Sequence, residues 1–294
     1  NPDLTFEKAN KYEIGLESVL WQDINFSATY YWERRSNILV DRNNLVPSLV
    51  GVDLQSANAG KASRQGIELS LNIARSFHNW GYFVGINYTL MQSKILFNGE
   101  LPVPPGSEYN YHTGQPISQP YGLRFIGFFQ SQDDINASPV QQFGTVKPGD
   151  MKYEDRNHDG YINNYDAGPI GKSVLPDAEY GITLGVHYKN IDLRAVIQAQ
   201  SGRDIYLGSN QAVYWPMIND AKISTYVKDH DPWTAENKGT ANYPRLTTIA
   251  NPNNYQSSTF WYKNADFLRV RSVELGYNIT GNIVAATPAD QAAV

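Results

Sequence analysis

The sequence predicts an all-β chain: an antiparallel transmembrane β-barrel segment of about seven strands with long extracellular loops. Three observations predict it: stretches that alternate apolar and polar residues with period two, connections that alternate short and long, and an aromatic-rich, glycine-rich composition. Among the 294 residues are 20 Tyr, 6 Trp and 23 Gly, usage that suits extended ribbons with one apolar face. A formal net charge of −5, with no Lys/Arg cluster, argues against nucleic acid as a partner. The absence of cysteine excludes disulfides and thiolate metal sites. No apolar run reaches the length of a membrane helix. The opening "NPDLTFEKAN" is polar, without a signal-peptide pattern, and reads as the interior of something longer.

The strands follow in order. A first runs through Leu16 to Leu20 and turns at "WQD" into "INFSATYYWER", where Ile24, Phe26, Ala28, Tyr30 and Trp32 share one face. Asn25, Ser27, Thr29, Tyr31 and Glu33 take the other. In "QGIELSLNIA", Ile67, Leu69, Leu71 and Ile73 oppose Glu68, Ser70 and Asn72, and "RSFHN" turns the chain into a strand from Trp80. In "EYGITLGVHYK", Tyr180, Ile182, Leu184, Val186 and Tyr188 oppose Gly181, Thr183, Gly185, His187 and Lys189; a "KN" turn leads on to Ile191. "SVELGYNI" sets Val273, Leu275, Tyr277 and Ile279 against Glu274, Gly276 and Asn278. The polar face carries charges and amides that a packed sandwich core does not tolerate unpaired. Between the tight hairpins lie long connections, from Arg35 to Ser63, Lys94 to Ala178 and Arg203 to Ala265. Short turns on one side and large loops on the other are the rhythm of a spanning barrel, whose strands need about ten to twelve residues. Seven strands leave two bare edges that lipid cannot satisfy, so the chain reads as part of a larger barrel.

One connection carries a motif. In "DRNHDGYINNYD", Asp155, Asn157 and Asp159 alternate, Gly160 is sixth, Tyr161 seventh, Asn163 ninth and Asp166 twelfth. This is the oxygen-ligand order of a calcium loop, the seventh residue giving its backbone carbonyl and the glycine permitting the turn. Pro148 and Gly149 exclude an entering helix. The expectation is one structural Ca²⁺, folding a long connection with little core of its own. Without the ion the same residues are turn-formers.

Enzyme signatures are missing. The five histidines show no zinc-protease spacing, "GPIGKS" lacks the first glycine of a phosphate loop, and no nucleophile elbow occurs. Asp133/Asp134 and Asp229/Asp231 read as loop acids. The expectation is therefore not an enzyme.

Distributed motifs resemble the SusC/RagA-like TonB-dependent outer-membrane transporters of Bacteroidota. "NPDLTFEKANKYEIGLE", "SRQGIELSLN", "GQPISQPYGLRFIGFFQSQDDI", "KPGDMKYEDRNHDGYIN", "YGITLGVHYKNIDLRAVIQAQSG" and "WYKNADFLRVRSVELGY" are similar to that family's blocks, in its order, up to Ile279. Two stretches depart from it: "YDAGPIG" lacks the usual Asp-Arg, and "AATPADQAAV" has no alternation. The resemblance implies that residues 1–280 are the C-terminal part of a 22-stranded barrel, with residues 281–294 an Ala-rich tail. It implies import of oligosaccharides or peptides across the bacterial outer membrane. It also implies a SusD-like surface lipoprotein as lid and the TonB complex acting through an upstream plug, with outer-membrane lipid around the barrel. Tyr214, Trp215, Trp233 and Tyr243, in the longest loop, are candidates to stack on a sugar substrate, against the alternative that they pack the loop. The competing reading is a calcium-stabilised β-sandwich, either a carbohydrate-binding module or a glycan hydrolase. It requires two sheets packed face to face.

Overall fold

A computed structural model describes residues 4–40, 56–100, 103–215, 223–249 and 251–279; the tail at 281–294 lies outside them. The strands are, in chain order, β1 (Lys8–Leu20), β2 (Ile24–Val40), β3 (Ala57–Ser76), β4 (Trp80–Phe97), β5 (Tyr121–Gly122), β6 (Phe125–Phe128), β7 (Val140–Gln141), β8 (Met151–Tyr153), β9 (Tyr161–Ile162), β10 (Gly168–Pro169), β11 (Ala178–Tyr188), β12 (Ile191–Ser201), β13 (Asp204–Tyr206), β14 (Tyr262–Asn264) and β15 (Phe267–Tyr277). Seven of them form one antiparallel sheet in the order β1-β2-β3-β4-β11-β12-β15, a meander interrupted by long connections. Among the described residues the barrel does not close, and β1 and β15 are the edges of the sheet. No second sheet packs on this one among the described residues, which removes the sandwich alternative.

The turns follow from local chemistry. Trp21 and Gln22 adopt φ of 49° and 64° between β1 and β2, the doubly left-handed bend that matches the strand twist. Between β11 and β12 a single left-handed residue, Lys189 at φ 52°, makes the turn.

Cross-strand register carries the period-two pattern around the sheet. Leu16 lies opposite Ala28, Ala28 opposite Leu69, Leu69 opposite Tyr88, Tyr88 opposite Tyr180, Tyr180 opposite Ala199 and Ala199 opposite Leu268. This apolar face is exposed: Leu184, Leu193 and Leu275 are 41%, 44% and 76% accessible, which only a lipid environment satisfies. Aromatic rings mark its two ends. Phe77 stacks on Trp80 at 4.4 Å beside the short turns, and Tyr12 on Trp32 at 5.5 Å towards the long loops. The 11-residue β11 is about 34 Å long, or about 26 Å tall at the usual barrel tilt, the height of a lipid-facing band.

β2, β3 and β4 are longer than a spanning strand needs, at 17, 20 and 18 residues. Their surplus carries Arg34, Arg35, Lys61, Arg64 and Lys94 and stands in water beyond the band. Register shifts between Arg35 and Ile38, where Asn37 has φ 59°, and between Lys61 and Ala62 bend this upper wall.

Buried apolar side chains lie elsewhere. Of those in the described residues only Val40, Ala62 and Ala178 belong to the sheet. The others come from the two long connections, residues 98–177 and 202–266.

Candidate functional site

The two connections fold on each other. Their core contains Leu123, Phe128, Met151, Tyr153 and Ile162 from the first and Leu207, Val227, Tyr243, Phe260 and Trp261 from the second. The first connection alone supplies only half of this core. Its apolar residues are buried against a partner far away in sequence. Four two-stranded ribbons frame the core: β10–β5, β6–β8, the parallel β7–β9, and β13–β14. Trp261 is fully buried and donates its indole N–H to the Asn254 carbonyl at 3.1 Å, with the Phe260 ring edge-on at 4.9 Å.

A buried polar knot joins the connections. Asp150 has no exposed surface. Its carboxylate accepts from the Lys147 N–H (2.7 Å), Asn251 Nδ2 (2.8 Å), Asn254 Nδ2 (3.1 Å) and Arg245 Nη2 (3.2 Å). Asn253 Nδ2 reaches the Met151 carbonyl at 2.9 Å, and Asn254 Oδ1 accepts the Met151 N–H at 2.9 Å. Gly149 bends under this knot at φ 89°; a Cβ there lies 2.5 Å from the Trp233 ring. Sequence reasoning missed these residues. "PGD" and "NPNNY" look like turn chemistry, and only the fold brings them together.

The acidic turn lies on the flank of this core. It is built as a chain of side-chain-capped bends, with His158 and Gly160 at φ 58° and 84°. Asp155 Oδ2 accepts the Gly160 N–H at 2.9 Å; Asn157 and Asp159 bond each other; Asp159 Oδ1 accepts the Tyr161 N–H at 2.8 Å. Asn163 and Asp166 form a reciprocal cap on a short 3₁₀ turn. Asp166 is fully buried and accepts the backbone N–H groups of Arg156 and Asn163 at 2.9 and 2.8 Å. Burial pushes its carboxyl above the usual aspartate range, against these hydrogen bonds, and the Asp155 charge pushes the same way. Asp155 Oδ1 is buried with no hydrogen-bond partner.

The six candidate ligands thus share one turn, but no three Asp, Glu, His or Cys side chains converge among the described residues. A bare buried carboxylate oxygen beside a second buried carboxylate fits a hard, oxygen-seeking cation in chemistry. Asp155, Asp166 and their Asn neighbours would hold it.

The aromatic candidates are placed in the packing. Tyr243 is 3% exposed, inside the core, and its hydroxyl donates to the Tyr214 carbonyl. Tyr214 meets Tyr226 edge-on at 4.8 Å. Trp215 stacks flat on Tyr255 at 3.9 Å, and Trp233 covers Gly149. Tyr243 therefore turns no face to a ligand; its ring holds the loop together.

The chain matches the family model described as "TonB dependent receptor-like, beta-barrel" over residues 1–198. Two curated relatives from Formosa agariphila are TonB-dependent receptor P26, 28% identical, and TonB-dependent receptor P39, 23% identical, each over 95% of this chain. The chain spans 28% and 30% of their lengths. Among solved structures, one described as the RagAB peptide transporter superposes with a TM-score of 0.69 at 20% identity. That match covers 98% of this chain and 30% of that one, and the importer's "open-open" state gives 0.68. The fold is that of these barrels. The chain belongs to the TonB-dependent receptor family, as a stretch of its outer-membrane β-barrel with two of the long loops.

Proposed function

We propose that this chain forms part of the wall and outer mouth of a TonB-dependent importer of oligosaccharides or peptides, of the SusC type known in Bacteroidota. It works with a SusD-like lid lipoprotein and is driven by the TonB complex through a plug elsewhere in the protein. The carrying observation is the division of the molecule. An apolar face girdles the sheet, its other face bears Asn, Gln, Thr and Gly with Glu, Arg and Lys, and the packed core lies in the two long connections. A preformed loop core at the mouth is what a lid needs as a rigid seat. The RagAB structures are described as those of a peptide transporter, which supports peptides alongside glycans as cargo. The test is uptake of labelled oligosaccharides and oligopeptides by cells with and without the full-length gene, together with co-purification of a surface lipoprotein. Unchanged uptake of both cargo classes overturns the reading.

The acidic turn takes a structural Ca²⁺ through Asp155, Asn157, Asp159, Asp166, the Tyr161 carbonyl and Asn163. The bare Asp155 Oδ1 beside buried Asp166 supports this. Calorimetry on the full-length receptor at millimolar calcium tests it, with Asp155→Ala/Asp159→Ala as the comparison. No heat of binding in the unsubstituted protein refutes the site.

A further inference from the structure

On β1–β4 the acids keep to one face while the cations stand on both: Lys11, Arg35 and Arg64 join the acids, and Lys8, Arg34 and Lys94 lie opposite. All their acids, Glu13, Glu17, Glu33 and Glu68, occupy the polar face by register. On the lipid-side face the row Tyr12, Trp32, Gln65, Gln92 closes the apolar band. One step further out, Asn10 pairs with Arg34, Arg34 with Ser63 and Ser63 with Lys94; Lys8 follows two residues from Asn10. Lys8, Arg34 and Lys94 are exposed, and none has a carboxylate partner among the described residues. Arg34 and Lys94 stand two strands apart, about 10 Å between backbones, so their side chains reach a common anion.

A second observation lies directly below. Tyr12, Ile14, Tyr30, Trp32 and Gln65 line a groove of ≈ 400 Å³ on the same face. Glu13 borders it but belongs to the polar face by register. The Tyr30 hydroxyl donates to Gln65 Oε1 at 3.3 Å, and Gln65 Nε2 to Gln92 Oε1 at 3.4 Å, which sets an amide pair beside the aromatic pair, one row below the cations.

We propose that this patch binds the phosphate-bearing headgroup of an outer-leaflet glycolipid. Arg34, Lys94 and Lys8 hold the phosphate, the Gln65–Gln92 ladder meets sugar hydroxyls, and the Tyr12–Trp32 groove takes the first part of an acyl chain. The order of these groups along the strands, apolar, then one row of aromatics and amides side by side, then cationic, matches the order of chemistry in such a lipid from chain to phosphate. Anionic lipid also suits three unpaired cations at the membrane rim, each contributing to headgroup attraction.

The test uses the full-length receptor in mild detergent, titrated with a phosphorylated outer-leaflet glycolipid, its dephosphorylated form, and inorganic phosphate. Native mass spectrometry counts the bound molecules. The phosphorylated lipid is expected to bind, the dephosphorylated form about 100-fold more weakly because all three cations lose their partner, and inorganic phosphate not to compete at equimolar concentration. Arg34→Gln/Lys94→Gln is expected to weaken the phosphorylated lipid about 30-fold, roughly five-fold per cation. Arg34→Lys/Lys94→Arg should retain it, which separates lost charge from lost fold, and Lys189→Gln at the opposite rim should change nothing. Equal binding of the two lipid forms, or unaltered binding by Arg34→Gln/Lys94→Gln, overturns the proposal.

Discussion

Replacing Asp150 with alanine removes one carboxylate and leaves four donors facing each other: the Lys147 N–H, the amides of Asn251 and Asn254, and the Arg245 guanidinium. Each bond to a charged acceptor contributes about 1.5–3 kcal/mol, but they are not additive. The relevant quantity is the cost of breaking an ion pair whose carboxylate is fully buried and whose guanidinium is 21% exposed, about 3–5 kcal/mol. At about 4 kcal/mol the opened population of the loop core rises about 1,000-fold. Limited proteolysis of the full-length receptor in membranes reads this, because cleavage follows the open population when reclosing is fast. New cuts should fall within residues 98–177 and 202–266, while β1–β4 stay protected. Asp134→Ala is the contrast. Its pair with Lys152, at 2.8 Å, is about a quarter exposed on both sides, so the change should cost about 1 kcal/mol, a roughly five-fold acceleration. Acceleration by Asp150→Ala of less than ten-fold, or cuts spread evenly into the sheet, refutes the reasoning.

Leu184→Arg puts a charge mid-height on the lipid face and should cost about 2–4 kcal/mol, whereas Thr183→Arg, on the polar face, should be nearly neutral. Heat-modified gel migration of the assembled barrel distinguishes them. Chelating calcium should expose residues 155–161 to protease but leave Met151–Tyr153 and Ile162 protected, since these are anchored in the core rather than by the ion; cleavage unchanged by chelator counts against the metal. Burial alone raises the Glu100 carboxyl, but the Thr113 hydroxyl and the His112 and Thr113 N–H groups hold it below the usual glutamate range. A lowered folded value means stability is present above the unfolded value and is lost as pH falls through the folded one. Amide exchange at His112 and Thr113, corrected for intrinsic rate, should therefore rise on acidification below the usual glutamate range, and in Glu100→Gln it should be pH-independent.

The sheet was legible because period two is a local signal: Tyr180 to Tyr188 declare their faces without reference to any other segment. The excess length of β2–β4 was not. Beyond the membrane, residues such as Ile38, Leu39 and Lys61 lose alternation where register shifts turn the strand. The loop core was invisible for a different reason. Met151, Tyr153 and Trp261 are brought together by contacts about a hundred residues apart, and no period or spacing marks such a meeting. Buried Asp150 and Asn254 have the composition of a solvated turn, so their sequence points the wrong way. Of the acidic turn, the order of oxygens was readable; the division into an Asn157–Asp159 pair, an Asp155 bond to Gly160 and an Asn163–Asp166 cap was not, because it depends on backbone bends at His158 and Gly160.

The interlocked core has a consequence for how such receptors diversify. Neither long loop carries a complete interior: Met151 and Ile162 come from one, Phe260 and Trp261 from the other, and Asp150 is neutralised only across the boundary. A recombination that imports one loop from a relative therefore brings in half an interior and a stranded charge. Loops of this kind should be inherited in pairs, with the strands β11 and β12 between them free to drift. An engineer grafting a new mouth onto this barrel should move residues 98–177 and 202–266 as one unit.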